Sequence, residues 1–282
     1  MPSAPSLALT GVTGHIGGLA ARELAHAGLE LRLLARSPER VRPLPGATVL
    51  PLTYGDTPEA VAALAGVEVL LMVSASEDVD RRAQHLGLVD AAAAAGVRHV
   101  VYTSFVGASP DATFTLVRDH WATEERIRAA GMGFTFLRDN LYADFFPDMA
   151  GADGVIRGPA DDGAVAAVAR ADVARSAVAV LRDPAAHRNQ TYDLTGPEAL
   201  TLNQVASVVS EATGRPTRFV DETLDEAYAS RASYGAPSWQ VDAWVSTYTA
   251  IASGELAAVR DDVRALTGRQ PLTLRALLSG ES

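Results

Sequence analysis

The stretch TGVTGHIGG, residues Thr10 to Gly18, lies between the apolar run Ser6-Leu-Ala-Leu and the helix-like segment LAARELAHAGLE. Its glycines at positions 11, 14, 17 and 18 give the spacing GxxGxxG between a strand and a helix. Each has a physical task in a dinucleotide-binding turn. The first lets the chain leave the strand sharply, the second lets backbone approach a pyrophosphate with no Cβ in the way, and the third lets the helix pack close to the sheet. Backbone N–H groups around Thr13 to Ile16 are then available to the phosphates, aided by the positive end of the helix dipole.

Working outward from this turn, short apolar runs alternate with longer alanine-rich segments of helical period. Strands are expected at Ser6–Thr10, Glu30–Ala35, Thr48–Leu52, Glu68–Val73, Arg98–Thr103 and Gly133–Leu137. Helices are expected at His15–Ala27, Pro38–Arg42, Pro58–Ala65, Val79–Ala95 and Thr113–Ala130, each ended by a nearby glycine or proline. This order implies right-handed crossovers and a Rossmann-type, doubly wound parallel α/β sheet, with its ligand at the carboxyl ends of the strands. Residues 1–150 read as the NAD(P)-binding domain. Residues 151–282 read as a smaller, mostly helical substrate-side lobe, partly interleaved with the sheet, with a strand and a capped helix in NQTYDLTGPEALTLNQVA and helices from about Asp221.

Composition narrows the function. The 282 residues carry a formal charge of −10 and no cluster of basic residues, which argues against a nucleic-acid partner. There are no cysteines, so thiolate metal sites, disulfides and cysteine nucleophiles are excluded. The opening MPSAPSLALTG lacks the basic segment of a secretory leader, and no apolar run is long enough to span a membrane, so a soluble cytoplasmic protein is expected. There is no lysine, and all 24 basic residues are arginines.

The end of the second strand discriminates between nicotinamide cofactors. An acidic residue there would accept hydrogen bonds from the ribose 2′-hydroxyl of NAD, whereas an arginine pairs with the 2′-phosphate of NADP. Here ELRLLA ends in Arg36 and Ser37, which favours NADP(H).

TGVTGHIGG, LLARSPER, TYGD at 53–56, VEVLLMVSASE at 67–77, QHLGLVDAAAAAGVRHVVYTS at 84–104 and FLRDNLY at 136–142 together resemble the NmrA-like branch of the atypical short-chain dehydrogenases. Within that branch the chain is most similar to the NADPH-dependent quinone reductases, and next to the triphenylmethane reductases. The resemblance implies that Gly11 to Ile16 form the pyrophosphate loop and that Arg36 holds the 2′-phosphate. It places Asp56 near the adenine, and Ser74, Ala75 and Ser76 beside the cofactor after the fourth strand. Asp139, Asn140, Leu141 and Tyr142 would approach the nicotinamide end. It also leaves open a non-catalytic NADP(H) sensor, since some members bind dinucleotide and regulate a protein partner.

Typical short-chain dehydrogenases pair a tyrosine with a lysine four residues on, and the ammonium lowers the phenol pKa so that it can protonate a carbonyl. None of the seven tyrosines here is followed four places later by a lysine or an arginine. A quinone does not need that dyad, because it is already a good hydride acceptor and the developing phenolate is delocalised. The expected activity is direct hydride transfer from NADPH to a quinone or similar planar conjugated acceptor, a small-molecule substrate, with homodimerisation left open. Tyr142, Phe145, Phe105 and Trp239 are candidate walls of an apolar pocket. Tyr142 and His120, in VRDHWATEERI, are the candidate catalytic residues, His120 as a donor to a substrate oxygen. The other histidines show no metal spacing, and no GxSxG elbow surrounds Ser104.

Overall fold

The computed structural model describes residues 6–280, so residues 1–5, part of the stretch from which the absence of a leader was read, lie outside the described residues. The chain opens with β1 (Leu7–Leu9), α1 (His15–His26), β2 (Leu31–Ala35), β3 (Ala47–Pro51), α2 (Pro58–Leu64) and β4 (Val69–Met72). It continues through α3 (Arg81–Ala94), β5 (His99–Phe105), α4 (Val117–Ala129) and β6 (Gly133–Asp139). Then come α5 (Phe146–Met149), β7 (Val155–Gly158), β8 (Ala164–Val165), α6 (Arg170–Arg182) and β9 (Gln190–Leu194). The remainder is β10 (Leu200–Thr201), α7 (Leu202–Thr213), β11 (Arg218–Asp221), α8 (Leu224–Arg231), α9 (Ser238–Ala252), α10 (Asp262–Thr267) and α11 (Leu274–Ser279).

The main sheet has the order β3-β2-β1-β4-β5-β6-β9, and the pairs from β3 to β5 are parallel. The chain builds outward from β1 through β2 and β3, then returns to lay β4 on the other side of β1. That reversal is the switch point at which doubly wound sheets bind ligands, and the glycine turn leaves β1 there. β1 and β2 are buried at every position, as a sheet covered on both faces requires. Even Arg32 on β2 is buried, because its guanidinium donates to the carbonyls of Ala63 and Ala65, each at 2.8 Å, and so caps the end of α2.

The chain divides into two compact units. The first runs to Ser104 and takes up Asp119–Arg138 and Val173–Tyr192. Its core gathers Leu34, Leu64, Leu70, Met72, Leu88 and Tyr102. The second comprises Phe105–Arg118, Asp139–Asp172 and the chain from Asp193 onward. It is mainly helical, with two two-stranded sheets, β8 with β10 and β7 with β11, and a core around Phe146, Ile156, Leu202, Val205 and Ile251. Its α7 starts on a capping box in which the Thr201 hydroxyl and the Gln204 side chain satisfy each other's backbone N–H.

The expected strands and helices fall within two to four residues of those observed, with three informative differences. The segment after Arg36 forms only a single 3-10 turn, Pro38–Arg40. β5 and β6 run on to Phe105 and Asp139, because Ser104 and Asp139 are buried polar residues that end the hydrophobic run without ending the strand. β11 was not anticipated, since RFVD is half-exposed and lacks a buried-strand pattern. Among the described residues, no helix is long and apolar enough to cross a membrane, and no group of three acidic or histidine side chains is placed to hold a metal ion.

Candidate functional site

The glycine turn is built as its spacing requires. Gly11 has φ +65°, and a Cβ there would lie 2.7 Å from Cβ of Val73 at the end of β4, so both backbone and space demand glycine. At Gly17 a Cβ would come within 2.6 Å of the Gly11 carbonyl, which is the close helix-to-turn contact expected of the third glycine. The turn is closed by the Gly14 N–H donating to the Gly11 carbonyl at 2.9 Å. Val12 and Ile16 are buried, while Thr13, Gly14 and His15 are exposed.

The start of α1 differs from those of four other helices, although α3, α5, α9 and α10 also begin without a side-chain cap. α2, α7, α8 and α11 begin on Thr57, Thr201, Thr223 and Thr273, each hydroxyl accepting a backbone N–H. α1 begins on Gly14 with no side-chain cap and no acidic residue in its first turn. Its first N–H groups therefore remain available to an external acceptor, and an anion is the acceptor that a helix amino end favours. Beside it runs a groove of about 560 Å³ lined by Thr13, His15, Arg22, Arg40 and Arg42 among others. Arg36, the residue after β2, is exposed and joins no ion pair among the described residues. The residues thus fit a nicotinamide dinucleotide: uncapped amides for the pyrophosphate, no Cβ at Gly11, Gly14 or Gly17, and at Arg36 a guanidinium without an ion pair among the described residues. Asp56 is exposed after β3, and α3 packs so closely on its backbone that a Cβ at Gly87 would lie 2.7 Å from the Asp56 nitrogen.

The loop Ser74–Ser76 is held from beneath by a buried polar network within the first unit. The Tyr54 phenol bridges the Thr10 hydroxyl and the Val73 carbonyl, both at 2.5 Å, tying the ends of β1 and β4 together. The Ser74 N–H donates to Thr103 Oγ1 at 2.8 Å, the Ala75 N–H donates to His85 Nε2 at 2.9 Å, and Arg81 Nε donates to the Ala75 carbonyl at 2.9 Å. Because His85 Nε2 accepts, its proton is on Nδ1, which faces Thr123 Oγ1 at 3.1 Å. Arg81 also donates to His120 Nε2 at 2.8 Å and pairs with Asp119 at 3.1 Å. His120 Nδ1–H is left to donate to Tyr102 Oη at 3.0 Å. Burial, and then the Arg81 charge, push the His85 pKa down to about 3, and the same two causes hold His120 well below its ordinary value.

This arrangement changes the reading of His120. It is buried, neutral and engaged at both ring nitrogens, so it has no N–H free to donate to a substrate oxygen. Its place is behind the loop rather than in front of it. Arg81 and His85 were missed as site residues, although they stand four residues apart on α3 and therefore share a face. His85 was read only for metal spacing.

In the second unit, Asn140 spends both amide atoms on backbone: Nδ2 donates to the Leu256 carbonyl at 2.9 Å and Oδ1 accepts the Leu141 N–H at 2.8 Å. Tyr142 is half-buried, and its hydroxyl donates to Asp139 Oδ2 at 2.7 Å. Asp139 Oδ1 is buried without a hydrogen-bond partner. Burial pushes the Asp139 pKa well above the usual carboxylate range, offset in part by the Tyr142 hydrogen bond. Phe145 is 44% exposed and meets Tyr142 edge-on at 5.8 Å. The Arg170 guanidinium lies over the Phe145 ring at 4.8 Å and pairs with Asp144 at 3.1 Å. Phe105 packs on Phe114 at 5.4 Å, and Trp239 is half-buried on α9.

A parallel sheet with a glycine-capped, otherwise bare helix at its switch point defines a dinucleotide-binding α/β protein. Residues 11–184 match the model of a family described as NAD(P)H-binding, and the chain belongs to that family. It is 31% identical over 280 residues to quinone oxidoreductase 2 of Escherichia coli, covering 97% of each chain. It is 32% identical over 273 residues to an NAD(P)H azoreductase of Xenophilus azovorans, covering 94% of each. The crystal structure of an NADPH-dependent quinone oxidoreductase of Escherichia coli complexed with NADPH matches it with a TM-score of 0.88 at 30% identity, over 97% of this chain and 99% of that one. Fold, site and relatives agree that the protein is an NAD(P)H-dependent oxidoreductase.

Proposed function

We propose that this protein reduces a quinone or a similar planar, conjugated acceptor at the expense of NADPH, without a Tyr-Lys dyad. The observation that carries the reading is the uncapped amino end of α1 at the switch point, with Arg36, at the end of β2, in no ion pair among the described residues. When bound, NADPH supplies the hydride. The protein's own part is to bind and orient. The loop from Gly11 to Ile16 takes the pyrophosphate, Gly14 by leaving room where a Cβ would stand and the others by their N–H groups, Arg36 takes the 2′-phosphate, and Asp56 lies toward the adenine. Ser74, Ala75 and Ser76 flank the cofactor on a backbone that Arg81, His85 and Thr103 hold rigid. In this reading residues 151–282 form the substrate-side lobe. Asp139 to Tyr142 face the nicotinamide end, Asn140 by shaping the backbone there, and Tyr142, Phe145, Phe105 and Trp239 supply apolar wall.

The chemistry suits such a site. With the acceptor already electrophilic and its reduced form delocalised, most of the rate comes from stacking it at near-attack distance in a pocket that excludes water. The test is NADPH oxidation by the purified protein with simple benzoquinones and naphthoquinones. Turnover, faster with NADPH than with NADH, is expected. Tight NADP binding with no turnover across the quinone panel would replace the reductase with the dinucleotide sensor that the family resemblance also implies.

A further inference from the structure

We infer that Asp139 and Tyr142 form a proton relay, in which a buried carboxylic acid reloads the Tyr142 phenol and that phenol protonates the reduced acceptor. The inference rests on the reductase reading above and adds to it a proton source. Its ground is the unequal surroundings of the two carboxylate oxygens. Oδ2 lies 2.7 Å from Tyr142 Oη, whereas Oδ1 is buried with no partner, and the residue as a whole is 1% exposed. An ionised carboxylate with an orphaned oxygen in a dry interior is costly, and a proton removes most of that cost.

Other buried carboxylates of the chain are settled differently. Glu124 accepts from Arg138 at 2.7 and 2.8 Å, from Arg128 at 3.2 Å and from Ser104 at 2.7 Å, so its charge is matched. Asp172 accepts the Leu272 N–H at 2.8 Å. Asp139 has no cation among the described residues, and burial drives its pKa upward, so its surroundings favour the protonated, loaded form. Among the described residues, the carboxyl group has one hydrogen-bonded neighbour, a phenol that is only half-buried and stands in the candidate pocket wall beside Phe145. A loaded acid behind a more exposed hydroxyl is the arrangement in which a proton moves outward.

The step balances as follows. Bound NADPH would supply a hydride with its electron pair, and the acceptor that gains it would become an anion. The Tyr142 O–H bond breaks as the acceptor's O–H or N–H bond forms. The Asp139 O–H bond breaks as that of Tyr142 re-forms, and a proton from solvent water, which leaves as hydroxide, returns to Asp139 by way of the half-buried Tyr142 hydroxyl. The hydroxyl proton can lie on either side of the 2.7 Å contact, so no heavy atom need move. The relay matters in proportion to the basicity of the anion. A hydroquinone anion is about as basic as a tyrosinate, with a pKa of about 10, and water can protonate it. The nitrogen anion left by hydride addition to an azo bond is a far stronger base and needs a proton as it forms.

The experiment compares the wild-type protein with Asp139→Asn and Tyr142→Phe, using NADPH with 1,4-benzoquinone and with the azo dye methyl red. Both variants are expected to lower kcat on the dye by about 100-fold and on benzoquinone by only about threefold, in keeping with the usual worth of a positioned acid. KM for the dye should change little. In the infrared at pH 7, the wild-type protein should show the carbonyl stretch of a protonated carboxylic acid, and Asp139→Asn should remove it while Tyr142→Phe keeps it. Equal losses on the two acceptors, a wild type that reduces benzoquinone but not the dye, or the absence of the acid band would each overturn the relay. A wild type inactive on both acceptors would fail earlier, at the reductase reading itself.

Discussion

Both units bury ionisable side chains, and one site in each settles them in opposite ways. Under the loop Ser74–Ser76, the ring nitrogens of His85 and His120 and the guanidinium of Arg81 all have partners, and both imidazoles are held neutral. In the second unit, Asp139 is equally buried but has one oxygen unpartnered and is pushed toward its protonated form. Full satisfaction makes a rigid platform, in which polar residues specify one backbone shape for the loop. Incomplete satisfaction leaves a group whose proton is the variable, and such groups gather at functional sites.

The comparison can be broken most forcefully at Arg81. Arg81→Met leaves the Ala75 carbonyl, His120 Nε2 and Asp119 without their donor, and should cost about 3–5 kcal/mol in urea unfolding. It should also weaken NADPH binding measured by calorimetry. A variant of wild-type stability and affinity would show that the network is not what holds the loop.

The two regions should also respond to pH with opposite sign. His85 has a folded pKa depressed from 6.5 to about 3, so its contribution is present above pH 6.5 and is lost as pH falls through that window. Asp139 has a raised folded pKa, so it favours folding at acid pH and loses that advantage as pH rises above its ordinary 3.8. Each effect amounts to about 1.4 kcal/mol per pH unit over its own window. Asp139→Asn should therefore remove the fall of stability toward neutral pH, and His85→Gln should flatten the loss toward acid. Superimposable profiles for wild type and Asp139→Asn would mean that Asp139 is ionised and the contrast is lost.

Two smaller effects sharpen the contrast between capped and uncapped helix starts. Thr201→Ala removes half of the capping box of α7 and should cost about 1 kcal/mol without altering NADPH affinity. Arg36→Asp, at an exposed position in no ion pair among the described residues, should leave the melting temperature unchanged while weakening NADPH much more than NADH. Equal weakening of the two cofactors would show that Arg36 does not recognise the 2′-phosphate.

Much of the fold was legible because it is written in local signals. The glycine spacing of TGVTGHIGG, the apolar runs from Leu7 to Phe136 and the helix-ending glycines depend on neighbours within a few residues, and the structure keeps them nearly where expected. The reading faltered where a buried polar residue broke the pattern, at Ser104 and Asp139, and where a half-exposed strand, Arg218–Asp221, lacked one. For the candidate site, the uncapped start of α1 and the placement of Arg36 follow from spacing. The environment of His120 does not.

The sequence by itself determined that a dinucleotide-binding turn opens a parallel α/β sheet, that an arginine rather than an acid follows β2, and that no lysine can serve a tyrosine. These are statements about residue types and short spacings, which the chain carries before it folds. Only the tertiary structure decided which buried polar groups are satisfied. Arg81 and His120 stand 39 residues apart and meet at 2.8 Å, while Asp139 finds a phenol for one oxygen and nothing for the other. A proton's free energy depends on that completed surrounding, on desolvation and on partners brought from distant elements, and no local pattern encodes it.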